Sequence, residues 1–155
     1  MKKQFFAIWL FWFATPANLA LSATGDVLFN GTVAATCALV VTSNGIMTVS
    51  TDLQTLSSHN IGGSAGLLTL STTGGVVLAV DPITTTSEPA ADTSSTTWTP
   101  TYHSSGAHTI AETGSNTTLS APGSSTVAVH VAGTKGGTDR FASGAYQTTV
   151  TVRCE

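Results

Sequence analysis

Val27-Leu28-Phe29-Asn30-Gly31-Thr32-Val33-Ala34-Ala35-Thr36-Cys37-Ala38-Leu39-Val40-Val41 is the stretch from which the fold can be read. Its odd positions, Val27, Phe29, Gly31, Val33, Ala35, Cys37, Leu39 and Val41, are small or apolar and share one face of an extended strand. The end of the chain repeats the pattern: Gly144, Tyr146, Thr148, Val150, Val152 and Cys154 again share one face. Each segment holds one of the two cysteines of the 155-residue chain. A first and a last strand that are both long and one-sided point to a protein that works by strand pairing.

Residues 1–22 read as a secretion signal. Lys2 and Lys3 precede an apolar run from Phe5 to Ala14, and Pro16 and Asn18 break that run. Ala20-Leu21-Ser22 fits the small-x-small rule for cleavage, which places the mature start near Ala23. The run is shorter than the ~20 residues a membrane span requires. Residues 23–36 then form an extension merging into the first strand, and 37–155 form a single domain. The chain is therefore expected to be exported.

Four of the six Phe and two of the three Trp fall within the signal. The rest carries three basic residues, Lys135, Arg140 and Arg153, against eight acidic ones. So few cations cannot neutralise a phosphate backbone, and no nucleic-acid partner is expected. Thr, Ser, Val, Ala and Gly dominate, a composition that favours strands joined by tight turns over helices.

Short apolar runs alternate with turn signals along the domain. Leu67–Leu70 and Val76–Val80 flank Gly74-Gly75, which predicts a hairpin. Thr97–Tyr102 and His108–Ala111 predict another around Ser105-Gly106. Thr84–Thr96 has no period and reads as a long loop or a loose edge. Val127, Val129 and Val131 alternate ahead of a Gly133-Thr134-Lys135-Gly136-Gly137 turn. About seven strands with frequent turns describe an all-β, two-sheet sandwich.

Two cysteines in an exported chain pair with each other, so a Cys37–Cys154 disulfide is expected. Four histidines, His59, His103, His108 and His130, are dispersed without the spacing of a metal motif, and His130 lies on the face opposite the valines. No catalytic constellation stands out; the chain does not read as an enzyme, and no cofactor or metal is expected. Asn30-Gly31-Thr32 and Asn116-Thr117-Thr118 match the glycosylation acceptor pattern, as short patterns do by chance in Thr-rich chains.

Gly25-Asp26-Val27-Leu28-Phe29-Asn30-Gly31-Thr32-Val33, followed by Cys37, resembles the N-terminus of pilin subunits of chaperone–usher fimbriae. Gly144–Glu155 resembles their terminal strand. The resemblance implies an incomplete immunoglobulin-like β-sandwich, completed when a neighbour's N-terminal extension is added as a donor strand. It further implies that Val27, Phe29 and Val33 enter pockets of the next subunit, with Gly31 where two backbones pass closely. Gly144, Tyr146, Val150 and Val152 would line the groove and meet the periplasmic chaperone. The implied partners are neighbouring subunits, that chaperone, an outer-membrane usher and a surface receptor. The implied role is adhesion from a fimbria at the cell surface.

A bridge from the first strand to the last departs from the family, whose first cysteine pairs about forty residues downstream. Two other readings therefore stand beside the pilin one. One is a self-contained secreted sandwich, such as a surface-coat protein. The other is a carbohydrate-binding or adhesin module with Trp98 and Tyr102 as a stacking surface.

Overall fold

The computed structural model describes residues 23–155, so the signal-peptide reading of 1–22 lies outside the described residues. Among the described residues none is helical, and all strand pairs are antiparallel. The strands are β1 (Cys37–Ser43), β2 (Thr48–Val49), β3 (Thr55–Ser57), β4 (Gly66–Thr72), β5 (Val76–Val80), β6 (Thr86–Ser87), β7 (Thr96–Gly106), β8 (Ile110–Thr113), β9 (Thr117–Leu119), β10 (Gly123–Lys135), β11 (Gln147–Thr148) and β12 (Val152–Cys154). They form a seven-stranded sheet, a three-stranded sheet β12-β5-β9 and a small β11-β6 pair. This arrangement is consistent with a β-sandwich.

β10 organises the large sheet. Its sequence alternates so that Val127, Val129 and Val131 are buried while His130 stays partly exposed on the other face. β7 runs along one side of it from Ser125 to Lys135. On the other side β4 takes its first half and β3 its second. β1 then joins the far edge of β4, and β8 the far edge of β7, forming the expected hairpin with it.

The core joins the two larger sheets. Leu68 and Leu70 of β4, Tyr102 of β7, and Val127 and Val129 of β10 pack with Val76, Leu78 and Val80 of β5 and Leu119 of β9. Burying one such aliphatic side chain contributes about 1.5–3 kcal/mol. Tyr102 is fully buried, with its hydroxyl 2.7 Å from Thr117 Oγ1, 2.9 Å from the Ser115 carbonyl and 3.2 Å from the Leu78 carbonyl. It therefore ties one sheet to the other, and the reading of Tyr102 as a sugar-stacking surface is overturned.

Three expectations about strands need correction. Gly74-Gly75 is not a hairpin turn: β4 and β5 belong to different sheets, and the glycines make the corner between them. Both have positive φ (86° and 74°), and a Cβ on Gly74 would lie 2.6 Å from the Ser120 carbonyl oxygen. Only glycine fits there. The unbroken apolar run of β5 suits a strand paired on both sides, between β12 and β9.

The first strand is shorter than the alternation suggests, with regular pairing from Cys37 only. The cause is its partner. Cys37 lies opposite Thr72, and β4 stops there because the glycine corner follows. Thr73 still holds the chain just upstream, accepting from the Thr36 N–H at 2.8 Å and donating to the Ala34 carbonyl at 2.9 Å. Residues 23–31 form no strand.

The last strand is split. Gln147–Thr148 pairs with β6 and Val152–Cys154 with β5, leaving Thr149–Thr151 between them outside either ladder. Asp81 N–H still reaches the Thr151 carbonyl at 2.9 Å, but the next residue is Pro82, which has no N–H to continue the ladder. The C-terminal chain changes partner at that proline.

Candidate functional site: an edge stapled at one end

β1 is an edge strand of the large sheet, since it pairs with β4 alone among the described residues. β12 is likewise an edge of the three-stranded sheet, paired only with β5. The expected disulfide joins these two edges: Cys37 and Cys154, 117 positions apart, have Cα atoms 6.0 Å apart and are bonded through sulfur. Away from that staple the apolar residues are incompletely covered. Leu39, Val150 and Val152 pack against the core cluster but are only partly buried, and Val40 and Val41 are 60% and 64% exposed. An edge of this kind presents free backbone N–H and C=O groups and apolar side chains, and both favour pairing with another strand.

The N-terminal residues singled out from the sequence are exposed as well: Val27 at 75%, Phe29 at 89% and Val33 at 85%. A Cβ on Gly31 would meet nothing within 4 Å.

The C-terminal residues do not act as one group. Val150 and Val152 lie against the core with Cys37 and Leu39. Gly144 and Tyr146 instead face the loop before β7. A Cβ on Gly144 would stand 2.5 Å from Pro89, and Gly144 has a φ of +147°. The Tyr146 hydroxyl donates to Asp92 Oδ2, and its ring meets Phe141 edge-on at 5.3 Å.

Asp92 belongs to a buried ion pair. Lys135 Nζ lies 2.7 Å from Asp92 Oδ1 and 2.7 Å from the Ser94 carbonyl, and it sits 4.9 Å from the centre of the Phe141 ring. Burial works to raise the Asp92 pKa, but bonds from Lys135 and Tyr146 outweigh it and hold the carboxyl at about 2. Tyr146 is pushed up to about 12, first by burial and then by the Asp92 carboxylate. Sequence reasoning missed this knot, although a signal was present. The expected turn at Gly133–Gly137 begins later, because β10 stays paired with β7 as far as Lys135, which is in phase with Val127, Val129, Val131 and Gly133 and so points inward. Trp98 packs over Gly133, whose Cβ would lie 2.6 Å from the indole, and is tilted against Phe141.

A second cluster lies on the outer face of the large sheet. His130 of β10 stacks on His59, with ring centres 3.9 Å apart, and His103 of β7 stands 5.5 Å from it on that face. His59 Nε2 is 2.8 Å from Glu112 Oε1 of β8, and Thr101 Oγ1 donates to the same oxygen at 2.5 Å. Thr101 does most to keep the Glu112 pKa low, against burial and with help from His59. Partial burial, then neighbouring His59, lowers that of His130. The histidines look dispersed in sequence because strand pairing alone brings them together.

No family model, curated protein or solved structure matches the chain.

Proposed function

We propose that this protein is an exported structural subunit of an adhesive surface fibre, polymerised by strand addition. Residues 24–34 of one subunit serve as the donor, and the β1–β12 edge of the next is the acceptor. Val27, Phe29 and Val33 cover the partly exposed Leu39, Val150 and Val152 at the margin of the core, and Gly31 allows the backbones to approach. The partners on this reading are neighbouring subunits, a periplasmic chaperone that covers the edge before assembly, an outer-membrane usher and a surface receptor. The fold is on this reading an immunoglobulin-like sandwich that lacks one strand.

The observation that carries the proposal is a pairing of needs. The chain has an exposed apolar segment without a ladder and a sheet edge with incompletely covered apolar residues. Each is an aggregation liability alone, and together they suit strand addition between copies. Expressed without a chaperone, the protein should form ladders of SDS-resistant oligomers. Deleting residues 24–34 should abolish the ladder and leave a domain that binds a Val27–Val33 peptide. A stable monomer indifferent to the peptide would sink the proposal.

The disulfide favours a second reading. Because Cys37–Cys154 already joins the two edges, a self-contained secreted sandwich such as a surface-coat protein also fits. On that reading the peptide experiment gives no binding, and the monomer is stable at all concentrations.

A further inference from the structure

We propose that His59, Glu112 and His130 form a binding site for one divalent transition-metal ion of the zinc type. One ligand atom from each side chain lies within 4.8 Å of the other two. The donors come from separate parts of the large sheet. His130 is on β10, Glu112 is on β8, and His59 follows β3 in the turn.

The donor set decides the class of ion. Two imidazoles and one carboxylate match zinc and its first-row neighbours, whereas calcium and magnesium take oxygen ligands. Three protein ligands leave a fourth tetrahedral position to water. Zinc bonds of about 2.0–2.2 Å require donors about 3.3 Å apart, so the 2.8 Å His59–Glu112 contact must open slightly while the longer separations, at most 4.8 Å, close. His59 and His130 are stacked 13° from parallel, so their in-plane lone pairs do not yet converge, and binding requires His59 to turn off the His130 ring; His59 and Glu112 are 46% and 40% exposed, which leaves room for that movement. The metal would replace the His59–Glu112 hydrogen bond, with the imidazole proton of His59 moving to Nδ1.

Outer contacts already orient two of the ligands. Ser58 Oγ lies 3.0 Å from His130 Nδ1 and can give its own proton to the Val131 carbonyl at 3.4 Å; with Nδ1–H donating to Ser58, Nε2 is the coordinating nitrogen. Thr101 holds Glu112 from the adjacent strand. Partners of this kind fix the tautomer and orientation of metal ligands. The site requires no second copy of the chain, so it stands or falls independently of strand addition.

The test is a calorimetric titration of ZnCl2 into untagged, EDTA-stripped protein purified from exporting cells. One ion per chain should bind saturably. His59→Asn and Glu112→Gln should each weaken binding at least as much as loss of an orienting partner does, about 10–100-fold. Asp139→Asn, on an exposed turn away from the cluster, should bind as the parent does. Imidazole nitrogen NMR of the parent gives a readout that does not depend on any variant folding. Zinc should shift His59 and His130 Nε2 and leave His108, bonded to Ser125 and the Ala121 carbonyl, unchanged. Absence of saturable binding, full binding by both ligand variants, or a shift confined to His108 or His103 would each overturn the site.

Discussion

Lys135 Nζ and Asp92 Oδ1 lie 2.7 Å apart with their side chains 0% and 1% exposed. The pair fastens the loop before β7 to the end of β10, and Tyr146 brings the C-terminal segment to the same carboxylate. Attraction within a buried pair roughly offsets the cost of removing both charges from water, so the contact is a weak source of net stability. Losing one partner alone is far more costly, because the other charge stays buried.

Lys135→Met should destabilise the protein by about 3–5 kcal/mol, because a buried carboxylate then loses its cation. The double variant Lys135→Met, Asp92→Leu should recover much of that loss, since no unpaired charge remains. Urea unfolding of the parent, both single variants and the double variant measures the coupling. Additive losses would show that the two groups act separately.

Stability should fall at both extremes of pH. The folded pKa of Asp92, about 2, lies below its ordinary 3.8. Its contribution is therefore complete above 3.8 and is lost as pH drops toward 2. Tyr146, raised to about 12 from 10.0, contributes below 10 and loses that contribution as pH climbs toward 12. Urea midpoints measured against pH should decline in both windows. Asp52 and Glu112 also have lowered values, so the diagnostic comparison is with Asp92→Asn, whose acid decline should be shallower. Parallel acid limbs for parent and variant would remove Asp92 from the account.

Cys154→Ser should lower stability by about 2–5 kcal/mol, because the bridge closes a loop spanning nearly the whole domain. Unfolding under non-reducing conditions measures it. If the variant still polymerises, the staple braces the edge without closing it. Polymerisation that improves would mean that the staple obstructs the acceptor.

Phe29→Ala should weaken a subunit joint by about 3–5 kcal/mol if the ring is buried in the neighbour, while leaving the isolated domain's unfolding unchanged. Gly31→Leu should slow or stop polymerisation, because it puts bulk where the donor and acceptor backbones must meet in the proposed joint. Oligomer ladders over time report both. Equal ladders for parent and variants would show that the joint lies elsewhere.

The all-β class, the disulfide, the β7–β8 hairpin and the inward face of β10 are legible in the order of amino acids alone. Each rests on information local to the chain: period-two alternation, turn residues, or the presence of only two cysteines. The choice of strand partners belongs to the tertiary structure. Gly74-Gly75 looks like a hairpin turn, yet it became a corner between sheets because β5 found β9 and β12. The alternation from Val27 to Cys37 is as regular as that of β1, but β4 ends at Thr72 and offers no edge to pair with. The C-terminal strand divides because Pro82 interrupts its neighbour, a break that cannot be located before that neighbour is known. His59, Glu112 and His130 are separated by gaps with no motif, as are Asp92, Lys135 and Tyr146. Their meetings depend on strand register, where a shift of one residue sends a side chain to the opposite face.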